Sequence, residues 1–268
     1  MHHNLCKNCE HTFEGNFCSN CGQKTNTVRL NWHFVKDELQ YTFLHVNKGL
    51  LYSCKQLLIR PGDTVREFLE GKRVKHYKPI LLIVVLTGVS GLLMHFLPME
   101  ELLNESVKLS ADSKIEKSKF VKSMAKFMDW FTKNYAFFEL GMVPVFSLCS
   151  WLAFKKYGYN YIENIIINCF ASAQRLLAGI LFFPLEYLTL HTSLFSMVAS
   201  MSTLVGYGMT GWLYFQLYKK LEAGNVILRM LLFGLLSAIL ISIITLIVVL
   251  VIVFLLKSGY IDKNMLPF

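Results

Sequence analysis

The sequence predicts an all-α membrane protein, a five-helix transmembrane bundle with a small N-terminal zinc ribbon. Hydrophobic residues make up 54% of the 268 residues and charged residues 17%, against about 45 to 50% and 25% in soluble domains. Two closely spaced cysteine pairs precede the apolar segments. These features divide the chain into a ribbon at 1–27, cytoplasmic amphipathic helices with a basic collar at 28–79, and the bundle at 80–268 with an outer loop at 98–134.

The ribbon is defined by two Cys-x-x-Cys pairs. The first pair is Cys6 and Cys9, the second is Cys18 and Cys21, and eight residues separate the two pairs. These four cysteines are the candidate metal ligands. Four thiolates suit a tetrahedral Zn²⁺ and leave no open position for a substrate, so the metal is expected to be structural. Iron in the same cage is the alternative. Gly22 follows the second pair, whereas Glu10 follows the first, which predicts a less regular first knuckle.

Helical periodicity begins after the ribbon. Apolar residues over 30–50 recur at spacings of three and four, which predicts an amphipathic helix. Pro61 is expected to end it and Gly62 to turn the chain. A short helix is then predicted over 65–70, closed by Gly71 in the left-handed conformation.

A basic collar stands before the first apolar segment. It consists of Lys72, Arg73, Lys75, His76 and Lys78. One interpretation is that the collar sets the topology and contacts anionic lipid headgroups, at about 1 kcal/mol per basic residue. The other is a docking surface for an acidic partner or a specific lipid.

Five apolar segments match the length of about 20 residues that a bilayer requires. They cover 80–97, 135–154, 165–190, 193–218 and 230–256. The collar and the lysine pairs at 155–156 and 219–220 then fall on one side, which predicts a cytoplasmic N-terminus and a C-terminus outside. Reduced metal-ligating cysteines agree with a cytosolic ribbon. Residues 120–131 predict a helix that lies along the membrane surface or packs against the bundle.

One arginine lies deep in a predicted span. A central arginine costs about 2.5 to 3.5 kcal/mol on an insertion scale, so Arg175 is expected to face the bundle interior. Glu186 is eleven residues away on the same helix, about 16 Å along its axis and too far for direct contact. Glu139 is offset by roughly 12 Å on the neighbouring span, a gap that two long side chains can just bridge. An ion or proton path and a structural pair both stay open.

Sequence motifs for catalysis are missing. The chain contains no Ser-His-Asp set, HExxH or P-loop. Gly206, Gly208 and Gly211 match a dinucleotide-binding pattern, but they lie inside an apolar run with no preceding strand. The ribbon carries few basic or stacking residues for nucleic acid. The sequence therefore predicts a protein that is not an enzyme, and it disfavours nucleic-acid binding. A membrane-tethered nucleic-acid binder stays open as a third alternative behind the two functions below.

A longer pattern joins the ribbon to the first span. "CGQK" is followed by "GLLYSCKQLLIRPGDTVREFLEGKRVKHYKPILL". Over about residues 5–85 the chain resembles an uncharacterised family of bacterial membrane proteins found chiefly in Bacteroidota. The resemblance implies a cytoplasmic zinc ribbon on a polytopic inner-membrane protein without an established activity.

Two functional hypotheses follow. The first is a non-enzymatic accessory or scaffold subunit that contacts membrane lipids and other membrane or cytoplasmic proteins, with export or envelope-assembly machinery as the candidate complex. The second is a small transporter or channel with Arg175 and Glu139 in a polar path. The sequence identifies no small-molecule substrate for either.

Overall fold

A computed structural model describes residues 4–25, 32, 49–97, 126–127 and 130–257. The amphipathic helix predicted over 30–50 and the surface helix predicted over 120–131 fall mostly outside the described residues.

The cysteine module is built from two short strands and the turns around them. β1 (Asn4–Leu5) pairs antiparallel with β2 (Thr12–Phe13). Phe17 and Lys24 form an isolated antiparallel bridge in the second half of the module. Its buried apolar core is small, comprising Phe13 and the cysteines, so packing alone provides little stability.

The rest of the described chain is helical. Its helices are α1 (Gly49–Ile59), α2 (Pro61–Glu70), α3 (Pro79–Met94), α4 (Tyr135–Ala153), α5 (Tyr161–Leu188), α6 (Phe195–Leu217) and α7 (Ala223–Lys257). A short 3₁₀ turn at Lys155–Tyr157 joins α4 to α5.

The five predicted apolar segments coincide with α3 to α7, but they are not equivalent. In the described part of the chain, three helices are long and apolar enough to cross a membrane: α4, α5 and, over Ala223–Val251, α7. α3 has only 16 residues. α6 has 23 residues, but serines, threonines and glycines lower its mean hydropathy. The structure is thus that of a helical membrane protein, and the five-span count stays a prediction.

α5 is the central helix of the bundle. Asn160 and Glu163 form a reciprocal capping box at its start, with N–H···O distances of 2.7 and 2.8 Å. The first two-thirds of α5 is buried almost all round. It packs against α1, α2, α3, α4 and α6. A helix that is buried on every face needs no solvent-exposed polar side, and its polar side chains face neighbouring helices instead.

The short helices before the first apolar segment pack directly on the bundle. The buried side chain of Gln174 donates to the carbonyl of Leu57 in α1 at 3.1 Å. Phe68 of α2 meets Phe170 of α5 edge to face, with ring centroids 5.4 Å apart. Residues 49–79 are therefore part of the same core as α5.

The Arg-Pro-Gly stretch adopts a conformation different from the predicted turn. Pro61 is the first residue of α2, and Gly62 lies inside that helix, where its N–H donates to the side chain of Gln216 at 3.0 Å. A Cβ at position 62 would collide with α6. Gly71 does end α2 in the left-handed conformation, with φ of 106°. The prediction was wrong for Gly62 because its role is a close helix approach, which depends on α6.

Arg66 fastens α2 to the end of α6. Its guanidinium donates to the carbonyls of Gln216 and Leu217, which have no partner within their own helix. Asp63 accepts hydrogen bonds from Arg66 at 2.5 Å and Lys219 at 3.2 Å. Burial alone would raise the pKa of Asp63, but the bonds from Lys219 and Arg66 outweigh it and lower that pKa.

Candidate functional sites: a cysteine cage and a polar cavity

The structure brings the predicted metal ligands together. The sulfur atoms of Cys6, Cys9, Cys18 and Cys21 all lie within 4.8 Å of one another. The Cys6–Cys21 and Cys9–Cys18 Sγ pairs are 3.5 and 3.6 Å apart. A tetrahedral ion with metal–sulfur bonds of about 2.3 Å requires sulfur–sulfur distances of about 3.8 Å. The cage therefore has the size and donor chemistry to hold a metal ion.

Two matching knuckles build the cage. In the first, Cys6 N–H donates to the His11 carbonyl at 3.0 Å and Glu10 N–H to the Cys6 carbonyl at 2.8 Å. In the second, Cys18 N–H donates to the Gln23 carbonyl and Gly22 N–H to the Cys18 carbonyl, both at 2.8 Å. Glu10 takes the same left-handed conformation as Gly22, with φ of 58° against 73°. The expected irregularity of the first knuckle is thus absent, because Glu10 accepts backbone strain of about 1 to 2 kcal/mol.

The environment of the thiols differs within the cage. Burial raises the pKa of Cys6 to about 11, while the backbone N–H of His11 lowers that of Cys9 to about 6. Cys6 therefore holds its proton more tightly than Cys9, and a metal ion must displace that proton to bind. Metal uptake is expected to release protons and to weaken in acid.

The basic collar is only partly a surface. Lys75 is exposed and Lys72 and Lys78 are half-buried. Arg73 donates to the Phe68 carbonyl at 3.1 Å and lies over its ring. His76 is buried, with its ring against Tyr52 and Phe68, so its side chain is part of the core rather than a lipid or partner contact.

His76 should make the protein sensitive to acid. Burial lowers the pKa of His76 below its ordinary value, and this outweighs the opposite effect of Glu67, 3.8 Å away. The unfolded chain takes up a proton on this histidine near pH 6.5, while the buried imidazole of the folded protein stays neutral. The contribution of His76 to the free energy of unfolding is therefore fully present above pH 6.5 and is lost as the pH falls below it. We expect the free energy of unfolding to fall by up to about 1.4 kcal/mol per pH unit below 6.5.

Thermal unfolding in detergent between pH 7.5 and 5.5 measures this effect. His76→Gln should flatten the pH dependence, whereas His95→Gln, at an exposed histidine, should leave it unchanged. Equal slopes for His76→Gln and the wild type would contradict the prediction.

Arg175 forms an ion pair with the acidic residue on the neighbouring helix. Arg175 Nη2 donates to Glu139 Oε1 at 3.3 Å and to Ser172 Oγ at 2.8 Å. The side chains of Arg175 and Glu139 are 22% and 17% exposed. The predicted axial offset of Glu139 is absent, because the stagger of α4 against α5 puts the two groups side by side. Helix length alone could not determine that stagger.

A cavity of about 270 Å³ lies over this pair. It is bounded by the C-terminal end of α3, the N-terminal ends of α4 and α6, and the second half of α5. Glu186 lines the same cavity as Arg175 and Glu139. The three polar residues identified in the sequence therefore belong to a single site, although Glu186 is remote from Arg175 along the helix.

A polar stripe on α5 was missed in the sequence. Asn168 Nδ2 donates to Ser150 Oγ at 2.8 Å, and Ser150 Oγ donates to Asn164 Oδ1 at 3.0 Å. Tyr214 of α6 approaches Asn168 Oδ1 at 3.5 Å, and all of these side chains are buried. With Ser172 and Arg175 beyond them, these asparagines recur at spacings of four and three. That spacing within an apolar helix was the available signal.

Loss of the arginine should destabilise the bundle. Arg175→Leu would leave Glu139 without its cation in a mostly buried position, and we expect a loss of up to about 3 kcal/mol, discounted for partial exposure. The double variant Glu139→Gln/Arg175→Leu should recover most of the stability that Arg175→Leu loses, as measured by thermal unfolding. Lys219→Leu breaks an exposed pair with Asp63 and should cost less than about 1 kcal/mol. A double variant no more stable than Arg175→Leu would contradict the prediction.

The comparisons with known proteins concern the segment that packs on the bundle. Residues 47–91 match the model of a family described as protein of unknown function (DUF3667). The match covers α1, α2 and most of α3 and leaves the cysteine cage and most of the cavity outside it. No curated protein and no solved structure matches the chain.

Proposed function

We propose that the chain is a non-enzymatic accessory subunit of a bacterial inner-membrane complex, which docks a partner protein through its metal-bound ribbon. In this proposal the N-terminus is cytoplasmic, five helices span the membrane and the C-terminus lies outside. The ribbon holds a structural Zn²⁺, and export or envelope-assembly machinery is the candidate complex.

The observation that carries the proposal is the combination of a closed cage with an apolar ribbon surface. Four thiolates complete a tetrahedral shell, so the metal has no position left for a substrate. Leu5 and Phe17 are 68% and 61% exposed on the same small module. Aromatic residues such as Phe17 are enriched in protein interfaces, and Leu5 adds apolar surface on the same module.

Purification of the full-length protein in mild detergent, followed by mass spectrometry of co-eluting proteins, tests the proposal. We expect a stoichiometric partner with the wild type and its loss with Leu5→Ser/Phe17→Ser, which keeps all four ligands. Asn20→Ser changes an exposed polar residue of the same module and should retain the partner. A wild type that purifies alone, or a double variant that keeps its partner, would refute docking through this surface.

The Arg175–Glu139 pair beneath the cavity favours a second function, a small transporter or channel. A polar pair inside a membrane bundle is costly and often marks a substrate or ion path. Vesicles that contain the protein should then take up a permeant probe such as methylammonium, and Arg175→Leu should abolish the uptake. Equal uptake by the variant and the wild type, or none by either, would remove this function.

A further inference from the structure

We propose that the cavity bounded by α3, α4, α5 and α6 binds a small organic ammonium ion, with the carboxylate of Glu186 as its charged contact. This goes beyond the docking function and does not require transport, since a cavity can bind a ligand without moving it.

The charge of the cavity favours a cation. One basic and two acidic side chains line it, Arg175 with Glu139 and Glu186. Arg175 and Glu139 are paired with each other at 3.3 Å, so the carboxyl group of Glu186 is the acidic group of the cavity that no basic side chain balances. Within the described residues, no hydrogen bond or ion pair reaches the Glu186 carboxylate. A half-buried carboxylate of this kind is stabilised by a bound cation.

The fixed arginine does not oppose such a ligand. Glu186 lies eleven residues beyond Arg175 on α5, about 16 Å along the helix axis. The charge of Arg175 is compensated by the carboxylate of Glu139 at 3.3 Å. Arg175 also commits its Nη2 to Glu139 and Ser172, and two carboxylates line the cavity with it. The same arrangement therefore disfavours an anion.

The walls fit a short apolar body. Leu176, Ile180 and Phe183 of α5 provide apolar surface, and Ser202 and Thr203 of α6 add hydroxyl groups that can accept hydrogen bonds. The ring of Phe183 can also face a cation. The volume of about 270 Å³ is smaller than that of sites for drug-sized ligands, which start near 300 Å³. An amine of a few carbons fits this space.

Calorimetric titration of the full-length protein in detergent with n-butylammonium chloride, at constant ionic strength, tests the site. We expect saturable binding that sodium butanoate, of similar size and opposite charge, does not reproduce. Glu186→Gln should weaken the binding at least tenfold. Glu222→Gln removes an exposed carboxylate outside the cavity and should bind like the wild type.

The absence of saturable butylammonium binding by the wild type would overturn the proposal, and so would equal binding of butanoate. Unchanged affinity in Glu186→Gln would do the same. If Glu186→Gln unfolds at a lower temperature without ligand, Thr203→Val provides a second readout and should weaken binding at least threefold; unchanged affinity in that variant would also refute the site. If the protein binds butylammonium but vesicles show no uptake, only the transport function is refuted. If no partner protein co-purifies, only the docking function is refuted, and the binding result still stands.

Discussion

Replacing Cys18 with serine should abolish metal binding and unfold residues 4–25 while the helical bundle stays folded. The cage brings four sulfur atoms within 4.8 Å, and the apolar core around them is too small to fold alone. Metal binding contributes about 10 to 16 kcal/mol of apparent free energy in zinc-finger peptides of this size. The loss of one ligand of four therefore removes most of the energy that orders the module.

Elemental analysis of the purified protein should show one metal ion per chain for the wild type and almost none for Cys18→Ser. Trypsin should then cleave faster after Lys7 and Lys24 than in the wild type, because both residues lie in the backbone turns and bridge that the folded ribbon holds in place. Cys54→Ser changes a cysteine of α1 outside the cage and should keep both the metal and the protection. A Cys18→Ser protein with full metal content and an intact ribbon would show that the cage is not the metal site.

Replacing Gly62 with alanine should separate α2 from α6 and lower the free energy of unfolding by about 1 to 3 kcal/mol, as overpacking of a close-packed core does. A Cβ at this position would overlap the backbone of Leu213 and Leu217 and the side chain of Gln216. Backbone atoms of a packed helix cannot move aside cheaply. The shift should also break the bonds from Gly62 N–H and Arg66 to the end of α6.

Gly88→Ala is the matched control, because Gly88 lies inside α3 and a Cβ there meets no atom within 4 Å. Alanine is the better helix former by about 1 kcal/mol, so this variant should be as stable as the wild type or more so. The two alanine variants should therefore shift the unfolding temperature in opposite directions. A Gly62→Ala protein that unfolds like Gly88→Ala would contradict the close approach of α2 to α6.

Local sequence features predicted the elements whose causes are local. The cysteine spacing predicted the cage, since the ligands lie on two short turns. The apolar runs predicted α3 to α7, with boundaries within a few residues except at the starts of α5 and α7. Gly71 was predicted correctly because a left-handed helix end needs only the glycine itself. The cost of an unpaired charge in a bilayer singled out Glu139 as an available acidic neighbour of Arg175, but the sequence left their pairing open.

Features that depend on two distant segments were mispredicted or missed. Gly62 was interpreted as a turn residue. Its actual role depends on close contact with α6, which lies more than 150 residues away in the sequence. His76 was assigned to a basic surface, and only the packing of Tyr52 and Phe68 shows that it is buried. Asn164 and Asn168 were overlooked, since their partners Ser150 and Tyr214 lie on other helices.

By itself, the sequence determined that this is an apolar helical chain with a four-cysteine cage, because composition, periodicity and ligand spacing act over a few residues. Only the tertiary structure decided that α1 and α2 belong to the bundle core and that Arg175, Glu139 and Glu186 line one cavity. Helix stagger and close approach are set by side chains that meet across the fold, and patterns within a short stretch of chain do not show which faces meet.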